Sequence, residues 1–398
     1  MTRRNVVLVL AAAATLFGLT LGIRTATALF ISAINTQTGM GLVAISFAFG
    51  IAQLVWGLSQ PLAGAIADRH GAGRVIAAGI VMMAAGIALV PIAGTAFALV
   101  FTVGVLVAGG AGAAGLSVLL AAMARLLPVE RRAMATGIVN AGGSLGQFTI
   151  IPLAQGLISW GGWMPALWWL ATLMAASLPL AWVLKGKPAG AGHVHDEPMG
   201  VAVKRAFGDQ NFLLLNSGFF TCGFHVAFIS THMPGVVDSC QLPPAVGAWS
   251  LAVIGLFNLV GSLGVASAMG RWRSRSLLSI VYAMRAVAVL AFLAAPKTEV
   301  TFVLFSAVLG LTWLSTVPPT AGLVAKFYGP RYMATLFGIV MLSHQIGGFL
   351  GAYLGGKAFT ATGSYDWMWW ADIALALFAA AVHLPIREAR VRAAPVPA

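Results

Sequence analysis

Twelve apolar runs, each close to the length of a bilayer crossing, constrain this chain more than any single motif. They fall at residues 6–30, 43–67, 74–92, 97–122, 134–157 and 162–184, then at 211–237, 246–268, 276–295, 300–325, 333–357 and 366–385. A hydrocarbon layer of about 30 Å is crossed by about 20 helical residues, and a barrel strand needs only about half as many. Runs of this length therefore predict an all-α membrane protein, with every backbone group satisfied inside its own helix. Only 8% of the 398 residues are charged and 60% are hydrophobic, with mean hydropathy +0.93. A soluble domain carries about 25% charge. The first run is longer than a cleaved leader and holds Arg24 within it, so it is expected to remain as a helix.

A net charge of +13 would suggest a nucleic-acid partner in a soluble protein. Here the basic residues sit in the short breaks and set topology instead. Alternate breaks and the two ends hold Arg3, Arg4, Arg69, Arg74, Arg125, Arg131, Arg132, Lys185, Lys187, Lys204, Arg205, Arg271, Arg273, Arg275, Lys326, Arg331, Arg387, Arg390 and Arg392, 19 of the 23 Lys and Arg. The other side holds Lys297 and Lys357, while Arg24 and Arg285 fall inside runs. Both termini are thus expected in the cytoplasm of a multi-pass protein of a bacterial cytoplasmic (inner) membrane. Cys222 and Cys240, with seven scattered histidines, offer no metal or redox spacing. No disulfide, metal or cofactor is expected. His193 and His195 read as part of a solvated connector.

The stretch from Gly57 to Arg74 ends the second run in a charged turn. Small residues at Gly57, Pro61, Gly64 and Ala65 permit close helix approach, Asp68 and Arg69 mark the membrane edge, and Gly71 and Gly73 are expected to reverse the chain before Arg74. The pattern Gly64, three residues, Asp68-Arg69, Gly71 and Arg74 resembles the loop between the second and third helices of the major facilitator superfamily. The resemblance implies twelve helices in two pseudo-symmetric six-helix bundles, residues 1–184 and 211–398, joined by a cytoplasmic linker at 185–210. It also implies that Asp68, Arg69 and Arg74 act as a gating loop.

Internal repetition agrees with two related halves. Arg132-Ala-Met-Ala-Thr136 leads the fifth run and Arg331-Tyr-Met-Ala-Thr335 the eleventh, each after a proline, Pro128 or Pro330. The second counterpart of the gating loop, Gly261 to Arg271, has Ala268 in place of Asp68. Glycine totals 47, concentrated in runs four, five and eleven, where small residues let helices pack or slide closely.

A charge at membrane depth is costly unless it faces protein or water, which makes Arg24, His225, Arg285, His344 and Asp372 site candidates. Arg24 offers a planar fork of donors suited to a carboxylate. His225 and His344 titrate near neutrality in water, and in the resembled fold their helices converge with the first on one chamber. Arg285 and Asp372 are candidates for a structural ion pair. Asn258, Gln53 and Trp56 are further polar or stacking candidates, with Trp313 as a second aromatic wall. Tryptophans 160, 163, 168, 169, 367, 369 and 370 are expected as interface anchors.

Gly22-Ile-Arg24, Gln60-Pro-Leu-Ala-Gly64 before Asp68-Arg69, and Ser343-His344-Gln345 look like bacterial relatives of the monocarboxylate and oxalate–formate porters. That resemblance implies a secondary transporter for a small organic anion, coupled to protons, in the lipid bilayer and acting as a monomer. The alternative is proton-coupled efflux of a drug, metabolite or neutral solute by the same fold. No nucleophile–base spacing, metal cluster or phosphate loop points to an enzyme, and short loops argue against a receptor.

Overall fold

The computed structural model describes residues 3–127, 129–185, 199–328 and 333–388. Its first half contains α1 (Val6–Thr38), α2 (Leu42–His70), α3 (Ala72–Ile92), α4 (Ala96–Met123), α5 (Val129–Gly161) and α6 (Trp163–Val183). Its second half contains α7 (Gln210–Ser239), α8 (Pro244–Ala268), α9 (Ser274–Ala294), α10 (Glu299–Tyr328), α11 (Met333–Thr362) and α12 (Asp366–His383). Ten of these, among the described residues, are long and apolar enough to cross a bilayer by themselves. The two others, α5 and α12, carry more polar sequence. In α12, Asp366, Asp372 and three tryptophans hold the hydropathy down.

The halves repeat one packing scheme. α1 packs on α5, α2 on α4 and α3 on α6, and equivalently α7 packs on α11, α8 on α10 and α9 on α12. The tightest seams use glycine for close approach. A Cβ on Gly146 would stand 2.1 Å from the carbonyl oxygen of Gly18, so α1 and α5 touch backbone to backbone. Gly351 does the same for α11 against Phe224 of α7. The halves meet across two equivalent seams, α2 with α11 and α5 with α8.

Several elements differ from the sequence expectation. The first helix runs on to Thr38 instead of ending near residue 30, with a tighter turn at Thr27–Phe30. α2 stays helical through Asp68 and Arg69 to His70. The reversal falls on Gly71 alone, at φ 92°, because only a residue without Cβ takes that conformation freely. Gly73 lies inside α3. Within the expected linker, Met199–Phe207 forms a helix that buries Ala202 and Ala206. Trp369 is not an interface anchor: it is 3% exposed and packs on Phe228 and Phe292, whereas Trp160 is 77% and Trp367 70% exposed.

Two helices are interrupted at corresponding places. α4 breaks at Ala114 and Gly115, between Ala108–Ala113 and Leu116–Leu126. α10 breaks between Glu299–Thr312 and Val317–Tyr328. Interrupted helices at matching positions of two repeats are a structural pointer to a binding region, since freed backbone groups need polar partners there.

Candidate functional site

A small cavity lies where α1, α2, α4 and α7 meet. Arg24 enters it from α1, just before the tighter turn at Thr27–Phe30. Its Nη2 donates to Gln53 Oε1 at 2.5 Å, and its guanidinium lies 4.2 Å from the centroid of the Trp56 ring. Gln53 and Trp56 are three residues apart on α2, so they present one face to Arg24. Among the described residues lining the cavity, Arg24 is the charged side chain and none carries a carboxylate. The rest of the polar lining is hydroxyl: Thr25 and Thr27 of α1, Ser230 and Thr231 of α7. Gln147 of α5 donates to Thr25 Oγ1 at 3.0 Å, fixing that hydroxyl's place.

These threonines and the serine were not singled out from the sequence. Thr25 and Thr27 flank Arg24 and were legible as neighbours of a charge; Ser230 and Thr231 carry no such signal. Gln345 is also buried at the α2–α11 seam against Gly57, with neither amide atom hydrogen-bonded.

The histidines do not join Arg24. His225 sits about half a helical turn around α7 from Ser230 and Thr231, so it faces the second half's own interior. There its Nε2 lies 3.3 Å from Asp372 Oδ1. His344 is buried against the ring of Phe219, with both ring nitrogens unpartnered. The expected chamber shared by Arg24 of α1, His225 of α7 and His344 of α11 is therefore two separate places. Nor do Arg285 and Asp372 form a direct ion pair. Arg285 donates to the carbonyls of Thr312 and Trp313 at the α10 break, and to Cys222 Sγ at 3.5 Å. Trp313 thus acts through its backbone.

Asn258 is committed to a joint. Its Oδ1 accepts from Leu314 N at 3.0 Å inside the α10 break, and its Nδ2 donates to Ser144 Oγ of α5 at 3.3 Å. The side chains of Asp68 and Arg69 lie outside the described residues, and Arg74 is exposed. Cys222 and Cys240 are both free.

The cavity is shut at one end of the molecule. Toward the end away from the linker helix, Gly50 meets Phe349, Gly356 meets Ser46, and Phe47 packs edge-on to Phe349 and Tyr353. Toward the linker end the seams part. Gly64 lies seven residues beyond Gly57 on the same face of α2, and Gly338 seven before Gln345 on α11. Among the described residues, a Cβ at Gly64 or Gly338 would meet nothing within 4 Å, and the same holds at Gly137 of α5.

Two helical repeats around a central polar cavity, closed at one end, define a membrane transporter. The sequence matches the Major Facilitator Superfamily model over residues 8–352, and the chain belongs to that family. Members of the family are transporters, not enzymes. Among curated relatives, an uncharacterized MFS-type transporter, YcxA of Bacillus subtilis (strain 168), is 24% identical, covering 81% of this chain and 80% of that protein. Monocarboxylate transporter 13 of Rattus norvegicus is 23% identical, covering 84% and 77%. Among solved structures, a bacterial homolog of the human lysosomal transporter Spinster, inward-facing and unoccupied, superposes with TM-score 0.76 at 15% identity, covering 96% of this chain and 97% of that one. A D-xylose-proton symporter superposes with TM-score 0.74 at 14% identity, covering 94% and 97%. These likenesses establish the fold of a multi-pass membrane protein.

Proposed function

We propose that this transporter moves a small organic anion of the monocarboxylate type by alternating access, in symport with protons. The observation that carries the reading is Arg24, held by Gln53 and Trp56 in a cavity whose lining, among the described residues, adds hydroxyls and no acid. An arginine fork pairs with a carboxylate in a way a neutral solute cannot exploit, and a cationic drug would be repelled. The sequence relation to monocarboxylate transporter 13 supports the same substrate class. With the linker end assigned to the cytoplasm of the bacterial inner membrane on the basic-residue asymmetry, the closed seams face outward and the parted seams inward. On that assignment the conformation is inward-open.

The test is uptake of radiolabelled lactate, pyruvate, formate and oxalate into proteoliposomes, with and without an inward proton gradient. Gradient-driven accumulation that disappears in folded Arg24→Ala supports the reading. Well-inserted protein that accumulates none of these anions, yet exports a neutral or cationic compound, overturns it in favour of efflux.

A further inference from the structure

The second half contains a polar cluster that the Arg24 cavity does not use. It is built around the α10 break, where the helix gives up its continuous hydrogen bonding after Thr312. Terminal carbonyls of a helix carry partial negative charge and need donors. Arg285, 1% exposed on α9, supplies them to Thr312 and Trp313, and its Nε is left without a partner. Asp372 on α12 is 0% exposed, and neither carboxylate oxygen has a hydrogen-bond donor. Among the described residues it pairs with the His225 imidazole at 3.3 Å, which is not aligned as a hydrogen bond.

An isolated ionised carboxylate is not tolerated in such a place. Shared with His225, one proton makes the pair neutral overall, as acid and imidazole or as carboxylate and imidazolium. Remove that proton and Asp372 is left negative beside a neutral ring. Arg285 is then the charged side chain that acts on both members of the pair. The other titratable groups around the cluster are Cys222 on α7, Tyr282 on α9 and His344 on α11, while α10 presents the hydroxyls of Thr312 and Thr316. His383 of α12 is three turns away from Asp372 and stacked on Tyr282.

We infer that His225 and Asp372 form a one-proton binding site, and that Arg285 moves from the α10 carbonyls toward Asp372 when the proton leaves. The proton passes to water through the cluster, and no other bond is made or broken. Losing Arg285 frees the carbonyls of Thr312 and Trp313, so the break keeps the bond from Leu314 N to Asn258 but loses its charged anchor. α7 carries the same event to the cavity, because His225 and the Ser230–Thr231 pair are less than two turns apart on it. As the proton half of the proposed symport the site rests on that reading, but its test needs no substrate and fails independently of the uptake assay.

The experiment is hydrogen–deuterium exchange of the full chain in detergent or nanodiscs at pH 6 and pH 9, with labelling times scaled to the intrinsic exchange rate. In wild type, protection of peptides covering residues 312–320 is expected to fall at least about tenfold at the higher pH, the factor for even one of the two charge-assisted hydrogen bonds released. Asp372→Asn, a fixed mimic of the protonated acid, is expected to keep the low-pH pattern at both values. A wild type without pH dependence at the break, or dependence that survives in Asp372→Asn, overturns the inference. If Asp372→Asn loses protection throughout the chain, His225→Gln decides: it keeps the carboxylate, and the transition at the break must move in pH. An unmoved transition in His225→Gln overturns the inference equally.

Discussion

Arg24→Lys tests whether the cavity recognises a planar fork or merely a positive charge. The guanidinium in the structure is oriented twice, by the 2.5 Å hydrogen bond to Gln53 Oε1 and by the Trp56 ring 4.2 Å away. Lysine keeps the charge but ends in a point-like ammonium on a flexible stem, so it forms no parallel pair of bonds to a carboxylate. One charge-assisted hydrogen bond to the substrate is lost, about 1.5 kcal/mol. The stacking that holds the cation in place is weakened as well, by about 0.5 kcal/mol at a partly exposed ring. Together these make about 2 kcal/mol, or roughly a 30-fold rise in the substrate concentration for half-maximal uptake, since about 1.4 kcal/mol is tenfold. Maximal velocity is expected to stay within a few-fold, because the helix seams are untouched. The assay is concentration-dependent uptake of the transported carboxylate in proteoliposomes, with thermal stability of the purified variant as the folding control. A lysine variant with wild-type half-saturation refutes the fork argument. A variant with normal half-saturation and lost velocity places Arg24 in the conformational step instead.

Gly146→Ala puts a methyl against the Gly18 backbone, which has no rotamer with which to yield; a loss of about 1–3 kcal/mol is expected from overpacking, read as a lower melting temperature in detergent. Gly64→Leu meets open space in this conformation and is expected to leave melting unchanged while abolishing uptake, because the linker-end seam must close on it during the cycle; normal transport by this variant contradicts that closure. Trp369→Ala removes a ring packed on Phe228 and Phe292 and should cost about 3–5 kcal/mol. Trp160→Ala, on an exposed ring, should change melting by less than the equivalent of about 0.5 kcal/mol.

Helix number, halves and family were legible in the sequence because a bilayer filters sequence severely. A run such as 74–92 has no other physical home, and Asp68-Arg69 followed by Gly71 at the end of the second run is unlike any apolar segment. Arg24, Gln53 and Trp56 were legible for a related reason: a charge in lipid is conspicuous, and residues three apart on one helix share a face. The helix breaks were less visible. Trp313 to Thr316 contains no glycine, but Pro318-Pro319 just beyond it lack the N–H groups that would continue the helix; which groups satisfy the freed backbone, Arg285 and Asn258 on other helices, only the structure shows.

By itself, then, the sequence determined where the chain crosses a membrane, how the crossings repeat and which side chains would be costly there. Tertiary structure alone decided which of those side chains meet. Partnership between helices depends on rotation about each axis, and a sequence of uniformly apolar residues leaves that rotation open. So it was packing that turned His225 toward Asp372, sent Arg285 to the carbonyls of α10 and left Arg24 in the cavity with Gln53 and Trp56. Trp369 went to the core and Trp160 to the surface for the same reason: both are tryptophans near a helix end, and only the neighbouring helices tell them apart.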